Sequence, residues 1–315
     1  MKHQSYIDIR DLIHVLDTVC SAKTSNTSIT SKELQNTLLL KGYLRKNKSG
    51  LQITKKSEQL LNKYLLSKNS AHSKKPYAVI DSVTIQSFYK DLPSDNECID
   101  QTRATKATAF ARTRIIAQEQ YDQKNAVAIL GDSDFNSFWL HKFKMNNITV
   151  FDIDKRVLNK IRSAMPAVRT VFADFRLDMS MHTNTFDVVI IDPPYSLEGL
   201  KLFLYQSLRL LKKKPGRHIY LSMPNFLEVD YCKHTTKYLL YEIQKIIIRC
   251  GCYIDFLYDE FNTYEKDILL RSSFIRITTT DSFNVKKQFT TKKGIYTNST
   301  PYRKYIKNSD VIVQL

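Results

Sequence analysis

Four short apolar runs, each closed by a carboxylate, constrain this chain more than any other feature of its sequence. Ala126-Val127-Ala128-Ile129-Leu130 runs into Gly131-Asp132-Ser133-Asp134, and residues 148–151 run into Asp152-Ile153-Asp154. Residues 168–172 lead to Asp174, and residues 186–191 lead to Asp192-Pro193-Pro194-Tyr195. Apolar runs of this length, bounded by turn residues, are the signature of strands buried on both faces. Helical patterns over 136–143, 155–165 and 197–211 separate them, a fifth strand is expected over 217–222, and a helix over 102–120 leads in. Strand–helix alternation at this spacing predicts an α/β doubly wound sheet. Ligands of such sheets bind outside the carboxyl ends of the strands, so four successive strands bring acids to one edge. A single acid in such a loop is commonly a helix N-cap, which Asp134 or Asp154 could be. The coincidence of all four is the signal.

The segment ahead of this sheet reads differently. Ile7, Leu12, Ile13, Val15 and Leu16 have helical spacing, and Ser31 is placed to cap a helix over 32–41 that Gly42 stops. Tyr43-Leu44-Arg45 and Leu51-Gln52-Ile53-Thr54 flank a turn at 47–50, which predicts a hairpin, and 55–66 follows as an amphipathic helix. Helix, helix, hairpin, helix is a winged-helix pattern. It suits DNA binding through 32–41 and equally suits packing or dimerisation. The expected division is a winged-helix-like domain over 1–70, a bridging segment over 71–100, a Rossmann-like domain over 101–283 and a basic tail over 284–315.

Charge bears on the partners. With 48 Lys+Arg against 31 Asp+Glu, the formal net charge is +17. Residues 1–90 carry fifteen basic and six acidic groups and residues 281–315 seven and two, so the excess lies at the two ends. Basic ends suit nucleic acid or another polyanion, or simply keep a protein in solution. The five cysteines (Cys20, Cys98, Cys232, Cys250, Cys252) are odd in number and form no CxxC or Cys/His zinc spacing. With no apolar stretch near the N-terminus and no apolar run of about 18 residues, neither a signal peptide nor a membrane span is expected. A reducing cytoplasmic setting follows as the expectation, with no metal site. His141, His182, His218 and His234 are scattered, and Trp139 is expected in helix core against the sheet.

The Asp-Pro-Pro-Tyr motif points to chemistry. Two prolines fix φ and stiffen the turn after the strand, which holds the Asp192 carboxylate and the Tyr195 ring in place. An alkyl amine with a pKa near 10 arrives protonated and must lose a proton before it attacks a sulfonium carbon. A positioned carboxylate is a suitable general base for that step. The motif therefore signals amine alkylation, and says little about which amine. The strand-end pattern resembles the class I fold of methyltransferases and of spermidine-synthase-like aminopropyltransferases. In both, an acid after the second strand (Asp152 or Asp154 here) can bond the ribose diol, and one after the third (Asp174) faces the adenine amine. Methyltransferases usually carry two or three glycines in the first loop. This loop has one glycine and two acids, which should repel the carboxylate of S-adenosylmethionine, tolerate its decarboxylated form and equally suit a cationic polyamine.

Several stretches taken together go further. Asp100-Gln101, Ala104-Thr105, LGDSDFNS, VFDIDKRVLNKI, FADFR, FDVVIIDPPYS, FNTYEKD and SSFIRI, in this order, resemble the branched-chain polyamine synthase family. The resemblance covers residues 5–280. It implies an N-terminal winged-helix-like domain and a Rossmann-like catalytic domain. It also implies transfer of an aminopropyl group from decarboxylated S-adenosylmethionine to the secondary amine of spermidine or a related polyamine, with 5′-methylthioadenosine as co-product. Residue by residue, Gly131, Asp132 and Asp134 match the family's Gly-Asp-Asp-Asp loop, with Ser133 in place of its middle acid. Asp152, Asp154 and Asp174 match the acids expected at the co-substrate. Asp192 matches the catalytic aspartate, with Pro193 and Tyr195 beside it. Asn262 and Tyr264 fall in an element expected near the polyamine, where Glu260 adds negative charge. A homodimer through the N-terminal domains is implied at the same level. Two rivals stand beside this reading: an S-adenosylmethionine-dependent DNA or RNA amino-methyltransferase, which the basic ends and Asp-Pro-Pro-Tyr would suit, and a ligand-sensing winged-helix DNA-binding protein without catalysis.

Overall fold

The computed structural model describes residues 39, 42, 44–47, 50–56, 82–119, 124–177, 179–224, 236–266, 270–285, 291 and 294–296. The expected winged-helix helices over 7–16 and 32–41, most of the helix over 55–66, and the basic tail beyond 296 lie outside the described residues. Contacts divide the chain into two units, residues 1–77 with 105–108, and residues 78–104 with 109–315.

In the first unit, β1 (Leu44–Asn47) and β2 (Gly50–Ile53) pair antiparallel with Leu44 opposite Ile53, so the expected hairpin is present. The Gly42 carbonyl accepts from the Thr54 hydroxyl at 2.8 Å, which ties the chain together at the hairpin's open end.

The second unit holds a seven-stranded sheet. Its strands are β3 (Val127–Leu130), β4 (Ile148–Asp152), β5 (Arg169–Phe172), β6 (Val188–Ile191), β7 (His218–Pro224), β8 (Cys252–Thr263) and β9 (Arg271–Thr279). The spatial order is β5-β4-β3-β6-β7-β9-β8. The first five strands are parallel, and β9 and β8 are antiparallel to their neighbours. The expected parallel strands are all there, each within a few residues of its predicted bounds. The antiparallel pair β8–β9 was not anticipated. Bulges interrupt its pairing between Ile254 and Phe256 and between Tyr258 and Asn262, so no clean alternation marks it in sequence.

The helices are α1 (Ser82–Lys90), α2 (Lys106–Glu119), α3 (Asn136–Lys142), α4 (Lys155–Ala164), α5 (Leu197–Leu210) and α6 (Thr236–Arg249), and α3 to α6 pack against the strands. Ala128 and Leu130 of β3 join a buried cluster with Leu200, Leu204 and Leu208 of α5 and Leu239, Ile243 and Ile247 of α6. By the two-residue period of a strand, Val127 and Ile129 face the other side. All four are fully buried, worth about 1.5–3 kcal/mol for each large aliphatic side chain. The helix expected from 102 starts at Lys106, because Ala104 runs extended and bridges Tyr264. Trp139 is buried as expected, but its partners are aromatic side chains of helices: its Nε1 donates to Tyr89 Oη at 2.8 Å, and its ring meets Phe110 edge-on. Among the described residues, no helix is long and apolar enough to cross a membrane.

Candidate active site

The strand order reverses between β3 and β6. From β3 the chain proceeds outward through β4 and β5, then returns to pair β6 on β3's other side. Such a switch point opens a crevice at the carboxyl ends of the two strands. The residues there are Gly131-Asp132-Ser133-Asp134 after β3 and Asp192-Pro193-Pro194-Tyr195 after β6.

The loop after β3 is built on its own carboxylates. Gly131 has φ +75°, a conformation that favours glycine, and its N–H donates to Phe151 O at 2.8 Å. Asp132 is fully buried and accepts from the N–H groups of Asn136 (2.7 Å) and Ser137 (3.1 Å), closing the first turn of α3. Burial pushes its carboxyl up to about 8 in spite of those donors. Asp152 accepts from the Asp132 N–H (2.9 Å) and the Asp154 N–H (2.8 Å), and burial pushes it up to about 6. Asp132 and Asp152 thus lock the ends of β3 and β4 together.

Asp154 caps α4, accepting from the Arg156 N–H at 2.9 Å, and its carboxylate is held by the Arg156 side chain at 2.7 and 3.0 Å. Asp174 is held the same way by Arg176, two residues on, with Nε at 2.9 Å from Oδ1. Each of these acids carries its own counter-charge.

The remaining groups converge. Arg112 of α2 has a side chain only 1% exposed. It donates from Nη1 to Asp134 Oδ2 (2.8 Å), from Nη2 to Asp192 Oδ2 (2.9 Å) and from Nε to Asn262 Oδ1 (2.7 Å). Asp134 Oδ1 accepts from the Ala104 N–H at 2.6 Å. The Tyr195 hydroxyl lies 3.3 Å from Asp192 Oδ1 and hydrogen-bonds the Tyr264 hydroxyl. Tyr264 also meets Ser272 Oγ at 2.8 Å, and Asn262 Nδ2 donates to the same oxygen at 2.7 Å. The Asp192 side chain keeps 20% of its surface open, whereas Pro193 and Pro194 are buried. Burial pushes the Asp192 carboxyl up to about 6; the Arg112 guanidinium works against that and the Asp134 charge adds to it.

So Asp134, Asp192, Tyr195, Asn262 and Tyr264 come together from three parts of the chain, around Arg112 from a fourth. Gly131, Asp132 and Asp152 shape the neighbouring loop. Glu260 is not brought in: it is exposed, at φ +48°, in the bulged stretch of β8. The first loop is also less anionic than its sequence implies, because Asp132 holds its proton near neutrality and Asp134 is paired with Arg112. Arg112, Arg103 and Ser272 were missed. Arg103 props the loop by donating to Ser133 O at 2.9 Å and Pro93 O at 2.6 Å. Arg112 left no signal in sequence: its helix shows no apolar stripe, and its burial beside Ala109, Thr113 and Ile116 appears only in the fold. Among the described residues, no group of three or more His, Cys, Asp or Glu side chains could hold a metal ion.

A mostly parallel sheet with a carboxylate-lined switch point defines a Rossmann-like α/β protein of the class I methyltransferase and aminopropyltransferase type. The chain belongs to the branched-chain polyamine synthase family, since the model of the branched-chain polyamine synthase A C-terminal domain matches residues 82–312. An uncharacterized protein of Methanocaldococcus jannaschii is 30% identical over 198 residues, 61% of this chain and 48% of that protein. The N(4)-bis(aminopropyl)spermidine synthase of Thermococcus kodakarensis is 25% identical over 189 residues, 54% of this chain and 53% of that protein. The chain thus spans about half the length of the curated relatives it matches. Among solved structures, the branched-chain polyamine synthase from Thermus thermophilus, in complex with N4-aminopropylspermidine and 5′-methylthioadenosine, superposes with a TM-score of 0.59. That match covers 93% of this chain and 92% of the Thermus chain at 16% identity, and it shows a shared fold.

Proposed function

We propose that this chain is an aminopropyltransferase that moves the aminopropyl group of decarboxylated S-adenosylmethionine to the secondary amine of spermidine or a related polyamine. Family membership supports the reading, and the observation that carries it is Asp192: a partly open carboxylate at the switch point, raised to about 6 and flanked by two tyrosine hydroxyls. A base of that strength is largely ionised at neutral pH and able to take a proton from an approaching ammonium.

Asp192 takes the proton of the acceptor nitrogen, and Tyr195 and Tyr264 hold that nitrogen beside the carboxylate. The freed lone pair forms a bond to the methylene carbon next to the sulfonium, and the carbon–sulfur pair stays on sulfur as the neutral thioether of 5′-methylthioadenosine. The sulfonium supplies the leaving group, so the protein's task is proton removal and alignment. Gly131, Asp152, Asp154 and Asp174 lie around the site assigned to the nucleoside, with Asp132 and Asp134 shaping it. The Arg156 and Arg176 partners exchange with ribose and adenine donors when it binds. Asn262 and Pro193 keep the polyamine side in shape, and Glu260 attracts the acceptor from outside. The proposed catalytic domain is residues 101–283.

The test is a paired assay read by mass spectrometry. Decarboxylated S-adenosylmethionine with spermidine should give 5′-methylthioadenosine and a product heavier by one or two aminopropyl units, and Asp192→Asn should lose both. S-adenosylhomocysteine and methylated DNA from S-adenosylmethionine with duplex DNA would overturn the reading.

A further inference from the structure

Arg112 lies in none of the motifs that suggested the function, yet it is the hub of the site. A guanidinium offers five N–H donors in a fixed planar fork, which an ammonium cannot reproduce. Here the fork spans three elements: the loop after β3 through Asp134, the loop after β6 through Asp192, and the end of β8 through Asn262. Asn262 is anchored in turn by Ser272 of β9. Breaking a buried charge pair by removing one partner leaves the other uncompensated, so each partner depends on this arginine.

Two consequences follow for the acids. Both oxygens of Asp134 are used within the protein, one by the Ala104 N–H and one by Arg112. Asp192 Oδ2 is held by Arg112, while Oδ1 lies next to the Tyr195 hydroxyl. We propose that Arg112 is the positioning residue of the site: by gripping Asp134 and Asp192 Oδ2 together it holds the Asp192 carboxylate in one orientation, with Oδ1 as the oxygen that takes the proton from the acceptor amine. This rests on the aminopropyl-transfer reading. The proton moves from the acceptor nitrogen to Oδ1, the nitrogen pair forms the new carbon–nitrogen bond, and the carbon–sulfur pair goes to sulfur. Asp192 then returns the proton to solvent.

The groups facing Asp192 are Arg112 from α2, Asp134 from the loop after β3, Tyr195 from its own loop, Ser222 from β7 and Tyr264 from the end of β8. Arg112 favours the ionised carboxylate, and burial and Asp134 oppose it. The two charged neighbours of Asp192 therefore give opposite signs on removal. Arg112→Gln should raise the acid limb of kcat/KM by about 1–3 pH units and lower kcat about 100-fold or more, with the donor KM little changed. Arg112→Lys should return the limb toward that of the native protein while kcat stays low, because charge is restored and the fork is not. Asp134→Asn should move the limb down.

The same shifts should appear in a carboxyl NMR titration of Asp192 in protein labelled with ¹³C at aspartate. This readout needs no turnover. An Asp192 titration unmoved in Arg112→Gln overturns the inference, even if the variant melts at a lower temperature. Should Arg112→Gln not fold, Asp134→Asn decides alone: a downward shift supports the inference and no shift overturns it. If the native protein transfers no aminopropyl group while the titration still moves with Arg112, the aminopropyl reading falls and the positioning role stands.

Discussion

Asp192 gathers more of the site's physics than any other residue. Its carboxyl is raised to about 6, mainly by burial, and proton abstraction needs it ionised. Turnover should therefore fall as pH drops through about 6, which a pH profile of kcat/KM for the acceptor would read. Asp192→Asn keeps the shape and removes the base, so kcat should drop by about 10²–10⁴-fold, with binding of 5′-methylthioadenosine by calorimetry close to that of the native protein. The residue was legible from sequence because Asp-Pro-Pro-Tyr follows a buried strand without a gap. Tyr264 was legible only through a resemblance, since 69 residues separate it from the Tyr195 hydroxyl it meets.

At the scale of elements, the site depends on how strands end. Asp132 closes the first turn of α3 through two backbone N–H groups. Asp132→Ala should cost about 0.5–2 kcal/mol, seen as a lower urea midpoint with an unchanged slope. At the turn from α6 into β8, Gly251 has φ +70°, and an added Cβ would lie 2.4 Å from Ser282 O. Gly251→Ala should thus destabilise by about 2 kcal/mol or more, from left-handed backbone strain together with the clash, measured by the same denaturation. The parallel strands were readable because each is a compact apolar run. The pair β8–β9 was not, because its two bulges break the period on which strand reading depends.

Across the whole molecule, raised carboxyls invert the usual acid behaviour. Asp132 is pushed up to about 8 and Asp152 to about 6, against about 3.9 in an unfolded chain. Through these two groups the folded state binds more protons than the unfolded state between about pH 4 and 8, whereas burial lowers His141, His182 and His218 and works the other way. The contribution of the two carboxyls to stability is full below about pH 4 and is lost as pH rises through 6 and then 8. The urea midpoint should accordingly be higher at pH 5 than at pH 8.5, and Asp132→Asn should flatten the upper part of that slope. The sequence by itself determined the alternation of buried strands and helices and the placing of an acid at four strand ends, because both are local: a run of side chains and the residue that follows it. Asp154 caps the helix that follows it, as its place in the sequence allowed, but only the tertiary structure decided what Asp132, Asp134, Asp152 and Asp192 do. Asp132 and Asp152 bind backbone, Asp154 and Asp174 pair with a neighbouring arginine, and Asp192 keeps one oxygen beside Tyr195. The setting of Asp192 depends on Arg112, which is 80 residues from Asp192 and 150 from Asn262 in the chain. The fate of a buried charge is set by the partners folding brings to it, and no local pattern records them.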